Sequence, residues 1–233
     1  MGSSWHLWST ALLPAPSRIG HALYTLATEQ ALPASLGYSL RIMLIGYLGA
    51  VLLGVPLGIV IQQTPWLRRT LGAALLGLQT LPSVCWVPIA LLWFGAGMPA
   101  VLFVVLGNSV FAIATATTSA LGQVSPLVMH AGQTLGARGW RMIVQVMLPA
   151  ALPEIAAGMR IGWTFAWRAL MAGELLSPGH GLGRLLQHGR EKGDIAEILA
   201  AMLVIIAVGL IVELVVFSRL DRHLRRRWGL APA

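Results

Sequence analysis

Charged positions in this chain are spaced so that long apolar runs stand clear of them. No Asp, Glu, Lys or Arg occurs in the 26 residues between Arg41 and Arg68, and none in the 68 residues from Thr70 to Ala137. A bilayer core about 30 Å thick takes about 20 helical residues, so the first run holds one span and the second holds two. Helices are required because backbone groups in hydrocarbon must bond within their own segment. The pattern predicts spans near 37–61, 71–95 and 99–121, with Gly95-Ala96-Gly97-Met98-Pro99 as a tight break between the second and third. A fourth span near 150–176 carries Arg160, Arg168 and Glu174. A fifth near 195–217 is apolar from Ile198 to Val212 and ends with Glu213. A charge at the centre of a lone helix costs about 2.5–3.5 kcal/mol to insert. Arg168 is therefore expected to face other helices or water.

Composition agrees with this reading. Hydrophobic residues make up 57% and charged residues 10% of the 233 positions, with 16 Lys+Arg against 8 Asp+Glu, a formal net charge of +8. A soluble domain carries about 25% charged residues. The chain is thus an all-α integral membrane protein, and disorder, a secreted disulfide scaffold and a soluble nucleic-acid binder are excluded. The single Cys85 permits no internal disulfide and, lying in an apolar run, is expected to pack.

Positive charge orients the spans. Segments 62–70, 122–149 and 218–233 hold nine arginines, whereas 1–36, 96–98 and 177–194 hold Arg18, Arg184, Arg190 and Lys192. The positive-inside tendency puts the nine-charge side in the cytoplasm, the C-terminus inside and the N-terminus outside. Residues 1–33 form an extracytoplasmic or interfacial segment. Trp5 to Leu13 is too short to span and lacks the basic flank of a secretory signal, and Ile19 to Leu32 reads as an amphipathic stretch at the outer surface, the alternative being a sixth, very short N-terminal span. Residues 34–217 are the membrane domain. Residues 218–233 are a basic cytoplasmic tail whose Arg225-Arg226-Arg227 run would meet anionic headgroups.

The connection from Gly122 to Pro149 reads GQVSPLVMHAGQTLGARGWRMIVQVMLP. Ser125-Pro126 is a good helix start, because the hydroxyl caps free N–H groups and proline suits the first helical position. Leu127 to Leu135 makes a short helix, and Gly136 is the natural left-handed residue to end it. Trp140 to Leu148 makes a second helical stretch with Met142, Ile143, Val146 and Met147 on one side, and Pro149 and Pro153 would bend entry into the fourth span. A long connection that looks structured is often functional.

This connection resembles the EAA loop of permease subunits in binding-protein-dependent ATP-binding-cassette importers. That pattern runs EAA, three residues, Gly, nine residues, Ile, one residue, Leu-Pro. Here His130-Ala131-Gly132 stands at the EAA position, Gly136 follows three residues later, Val146 nine residues after that, and Leu148-Pro149 closes the pattern. The departures are His130 for Glu and Gly132 for Ala. Thr134-Leu135-Gly136-Ala137, Leu148 to Pro153, Trp167 to Glu174, Gly181-Leu182-Gly183, and Leu81-Pro82 with Pro88 and Trp93-Phe94-Gly95 resemble the nitrate/sulfonate/taurine branch. The likeness runs from about Leu13 to Leu230. Members often carry an additional first span, which this chain begins too late to contain; five spans are expected to suffice for the type I importer core.

The resemblance implies a multi-pass subunit of the bacterial inner (plasma) membrane, working as a pair of permeases, expected to be a homodimer. Its partners would be two ATPase subunits and an extracytoplasmic substrate-binding protein, with the lipid bilayer around it and no nucleic acid. The short cytoplasmic helix would fit a cleft in the ATPase, its contact residues being His130, Ala131, Gly132, Gln133, Thr134, Leu135, Gly136 and Ala137. Gly132 and Gly136 would allow close approach and Leu135 apolar burial, while His130 in place of a carboxylate weakens any electrostatic part of docking. Nitrate, sulfonates or taurine are the implied substrates.

Arg168 is the candidate charge of the substrate path, with Arg160 eight residues earlier, within about 80° on the helix. The alternative is that Arg168 is satisfied by backbone carbonyls or by an acid such as Glu213. Glu174, near the outer end, is read either as structural or as part of the path, and Trp163 and Trp167 as packing or interface anchors.

The residues argue against catalysis in this chain. A phosphate-binding loop needs Gly-Lys-Ser/Thr, but the one lysine, Lys192, is followed by Gly193. Gly-x-Ser-x-Gly is also absent. The chain is therefore read as a transport subunit that holds no cofactor, ATP being bound by the partner. The competing reading is a self-contained membrane enzyme or secondary transporter, which would stay active alone. His180 and His188 lie in a Gly-rich segment without matching carboxylate spacing, so no metal is expected.

Overall fold

The computed structural model describes residues 14–29, 31–177 and 179–227, which form helices joined by short turns, without a strand among them. The predicted non-spanning stretch Trp5–Leu13 lies outside the described residues.

In chain order the elements are α1 (Pro16–Thr28), α2 (Ala31–Gln63), α3 (Pro65–Thr80), a 3-10 turn (Ser83–Cys85), α4 (Trp86–Phe94), α5 (Met98–Gly122), α6 (Pro126–Thr134) and α7 (Trp140–Met142). A π-helical turn (Ile143–Met147), α8 (Leu148–Leu176), α9 (Leu182–Lys192), α10 (Ile195–Val212), a second π turn (Glu213–Phe217) and α11 (Ser218–Arg227) follow. Among the described residues, four stretches are long and apolar enough to cross a bilayer: Ala31–Gln63, Met98–Gly122, Trp140–Leu176 and Ile195–Leu224. A fifth is reached only if α3 and the Ser83–Phe94 segment count together, and these are bent by 95°.

The span expected near 71–95 is interrupted at this bend, as in a broken span or a re-entrant loop. Its reason is local: the residue before a proline is pushed out of the α region, and Leu81, preceding Pro82, is extended at φ −70°, ψ 125°. Cys85 sits in the turn that follows this break and is exposed, which corrects the expectation that it packs. The Gly95–Pro99 break is as predicted, Gly95 ending α4 at φ 72° and the chain re-entering helix at Met98. Pro149 lies inside the continuous Trp140–Leu176 helix, directly after the π turn Ile143–Met147, which is the irregularity at this entry.

Two compact units can be distinguished. One comprises Met1–Ile45, Ser83–Val104 and Trp167–Ile211, the other Gly46–Pro82, Val105–Ala166 and Val212–Ala233. In the second unit α5 is held between α2 and α8 by contacts only small residues allow. A Cβ on Gly58 would lie 2.6 Å from the Ala114 carbonyl oxygen, and one on Gly162 would lie 2.5 Å from Ile113 Cγ1; Gly158 meets Ala116 in the same way. Apolar burial drives helices together weakly in lipid, so close backbone approach is what holds them. Thr118 adds a hydroxyl donated to the Gly58 carbonyl at 3.1 Å, and Tyr47 donates to the Met159 carbonyl at 2.8 Å.

The first unit has its own core of Leu26, Leu182, Leu185, Ala200 and Ala201, over which α1, α9 and α10 pack. Glycine 193, at φ 69°, closes α9, and Asp194 opens α10 by accepting from the Ala196 N–H at 2.9 Å.

Candidate functional site

The connection predicted to carry function folds as two short helical pieces. Ser125 accepts from the Leu127 N–H at 3.3 Å, and Pro126 takes the first position of α6. At the other end Gly136 is left-handed at φ 87°; its N–H reaches the Gln133 carbonyl (3.0 Å) and that of Ala137 the Gly132 carbonyl (2.9 Å). This paired closure satisfies the last free carbonyls of the helix. A second left-handed glycine, Gly139 at φ 52°, starts the next helical piece.

That piece anchors the first. Met142 and Met147 are buried with Ala120, Leu121, Ala151 and Ile155, and Ile143 and Val146 pack against them. Gly132 is buried against this surface: a Cβ there would sit 2.9 Å from Val146 Cγ2 and 3.2 Å from Met142 Sδ. The close approach Gly132 permits is thus within the chain. Gly136 has open space where a Cβ would be, so its need is for backbone conformation. Of the remaining predicted contact residues, His130, Ala131, Gln133, Thr134 and Leu135 are exposed and Ala137 is half-buried. Leu127 (76% exposed), Leu135 (88%) and Trp140 (68%) give this projection an apolar surface.

The charged residues of α8 separate into three situations. Arg160 is ion-paired with Glu213, so the acid that might have satisfied Arg168 is engaged elsewhere. Arg168 is exposed and has no ion pair among the described residues. Glu174 is 2% exposed and sits in a clamp. The Ser39 hydroxyl donates to its carboxylate (2.6 Å to Oε1, 2.8 Å to Oε2) and accepts from the Leu182 N–H at 2.9 Å, while the Gly183 N–H donates to Oε2 at 2.9 Å. The carboxylate thus caps α9, where an anion complements the helix dipole. Gly181, at φ 136°, leaves no room for a Cβ beside it.

Ser39 was not singled out in the sequence, where it stands 135 residues from Glu174. In the sequence Glu174 and Gly181-Leu182-Gly183 stand close together, but nothing there ties Ser39 to either. Trp163 packs edge-on against Tyr47 (5.2 Å between ring centres) and lies 5.9 Å from Phe217, and Trp167 borders the core of the first unit. No group of three or more His, Cys, Asp or Glu side chains that could hold a metal occurs among the described residues.

These features define a polytopic helical membrane protein that carries a capped helix on the connection between two spans. The chain belongs to the family of binding-protein-dependent transport system inner membrane components, which it matches over residues 29–229. It is 30% identical over 176 residues to a putative ABC transporter permease protein of Methanocaldococcus jannaschii, covering 75% of this chain and 66% of that one. It is also 30% identical over 213 residues to the taurine transport system permease protein TauC of Escherichia coli (89% and 78% covered). To the nitrate import permease protein NrtB of Synechocystis it is 28% identical over 210 residues (86% and 76%). Its fold is similar to a chain of the MetNI methionine ABC transporter in an inward facing conformation, with a TM-score of 0.73 and 18% identity over 85% of this chain and 98% of that one.

Proposed function

We propose that this inner-membrane permease forms the substrate path of an ATP-driven importer and receives force from a separate ATPase through α6. The carrying observation is α6 itself: closed at both ends by hydrogen bonds, packed through Gly132 onto Val146 and Met142, and presenting Leu127 and Leu135 to the outside. A lever must be stiff to convert a small displacement into opening, and this one is braced on the helix that continues into α8. The working unit is two permeases, as a homodimer, with two ATPases that bind the ATP and an external binding protein. Residues 218–233 and the loop bearing α6 face the cytoplasm, and residues 1–33 the outside.

Gly136→Leu puts a side chain where φ is 87° and should abolish or strongly reduce co-purification of the ATPase. His130→Glu should preserve or raise it. Unchanged assembly of Gly136→Leu would refute the docking role.

The transported solute is a small anion, the class to which nitrate and the sulfonate end of taurine belong. Arg168 supports this, as an exposed cation within a span and without an ion pair among the described residues, whereas Arg160 is neutralised by Glu213 and Glu174 is engaged in its clamp. Uptake of nitrate and taurine by Arg168→Gln in the assembled importer should fall at least tenfold. Normal uptake would remove Arg168 from the path.

A further inference from the structure

A cavity of about 450 Å³ opens between the end of α2, the start of α3 and the end of α5, within the second unit, and the importer reading gives it no role. Its walls are pinned by hydrogen bonds between the helices. Thr118 ties α5 to the Gly58 carbonyl of α2, and the Gln79 amide of α3 donates to Thr115 Oγ1 at 2.8 Å and to the Phe111 carbonyl at 3.0 Å, both on α5. The lining is graded along these helices. Gln62, Arg68, Ser119 and Gly122 stand where α2 and α5 end and α3 begins, which is the bilayer boundary of these spans. Gly72, Ala73 and Leu76 lie about one to two turns deeper along α3, and Leu76 is 60% exposed, within reach of lipid.

Of the described residues lining the cavity, Arg68 alone is charged. It is exposed and has no ion pair among the described residues. The chain around it offers no acid to pair with, since no Asp or Glu occurs between Glu29 and Glu154, a stretch that contains all of α2, α3 and α5. The Gln62 amide and the Ser119 hydroxyl add donors at the same level, whereas the Thr115 and Thr118 hydroxyls are engaged with backbone carbonyls. A guanidinium among neutral donors and facing no carboxylate is matched to a phosphate oxygen. The apolar wall below it is matched to a hydrocarbon chain, which a small free anion lacks.

We propose that this cavity holds an anionic phospholipid, its phosphodiester bound by Arg68 and Gln62 and its acyl chain laid along Ala73 and Leu76. Basic pockets between spanning helices take such headgroups, and the volume is in the range of small-molecule sites. With no acid nearby to meet a choline, a lipid of net negative charge is selected over a zwitterionic one. The proposal is independent of docking at α6 and of the solute path through Arg168.

The test offers the full chain, delipidated in maltoside, either dioleoyl phosphatidylglycerol or dioleoyl phosphatidylcholine and counts retained lipid by native mass spectrometry. Phosphatidylglycerol should be retained over phosphatidylcholine. Arg68→Gln should lower its retention about fivefold, the worth of one arginine at an anionic surface. Arg69→Gln, which removes the same charge from a residue outside the lining, should leave retention unchanged. Gly72→Leu fills the cavity from α3 with every charge in place, its Cβ standing 4.0 Å from Ile61 Cγ2. That variant should lose as much binding, and it decides the matter should Arg68→Gln not fold. Dimethyl phosphate in excess, the same charge without the chain, should not displace the lipid. Equal retention of both lipids, an equal loss in Arg69→Gln, undiminished retention in a folded Arg68→Gln or Gly72→Leu, or displacement by dimethyl phosphate, which would make the cavity a site for free anions, would each overturn the proposal.

Discussion

Single atoms decide much of this protein's stability. A methyl group added at Gly58 has no place to go, because the Ala114 carbonyl oxygen and Thr117 Cβ both lie 2.6 Å from where it would stand. Gly58→Ala should therefore force α2 and α5 apart and destabilise the chain by about 1–3 kcal/mol. Thermal unfolding in detergent measures this, and an unshifted transition would contradict the tight approach. Ser39→Ala acts differently, by removing the hydroxyl that links Glu174 to the Leu182 N–H. A buried donor and a buried carboxylate each lose a partner, for an expected loss of about 1–3 kcal/mol. Hydrogen exchange at Leu182 should accelerate in that variant, whereas Ser39→Thr should retain the slow rate.

Among the elements, α6 is the one whose two ends were legible before its packing. Ser125-Pro126 and Gly136 are local chemistry, and they act over one turn of helix, so spacing alone locates them. Ser125→Ala should cost about 1 kcal/mol of helix stability, read as faster exchange of the Leu127 amide while the buried amides of α8 are unaffected. The face that α6 turns inward was not legible. Gly132 was expected to serve contact with a partner, but Val146 and Met142 close over it. The second span shows the converse. Its apolar length was evident, yet a single extended residue before Pro82 turns the path by 95°, because hydropathy measures affinity for lipid and carries no direction.

At the scale of the whole molecule, membership in the permease family, the helical fold and the inner-membrane setting follow together, while energy supply and orientation are open to direct measurement. Reconstituted alone, the chain should show no solute uptake; with its ATPase, binding protein and ATP, uptake should appear. Activity without ATP would favour a self-contained transporter. Orientation can be read by labelling, since Cys85 is the one native cysteine. In a Cys85→Ser background, Gln133→Cys should react with an impermeant thiol reagent only from the cytoplasmic side. Labelling from outside would reverse the assigned topology.

By itself the sequence determined that the chain is helical and lipid-embedded, roughly where four of its long apolar helices lie, and that a capped helix stands on one connection. These depend on composition and on neighbours within a few residues, which the chain order preserves. Only the tertiary structure decided that Arg160 takes Glu213, that Ser39 holds Glu174 across 135 positions, and that Gly132 is spent inside the loop. Such pairings require helices distant in sequence to meet at a particular rotation. In an apolar solvent that rotation is set by the fit of small side chains against backbone, which no run of hydropathy encodes.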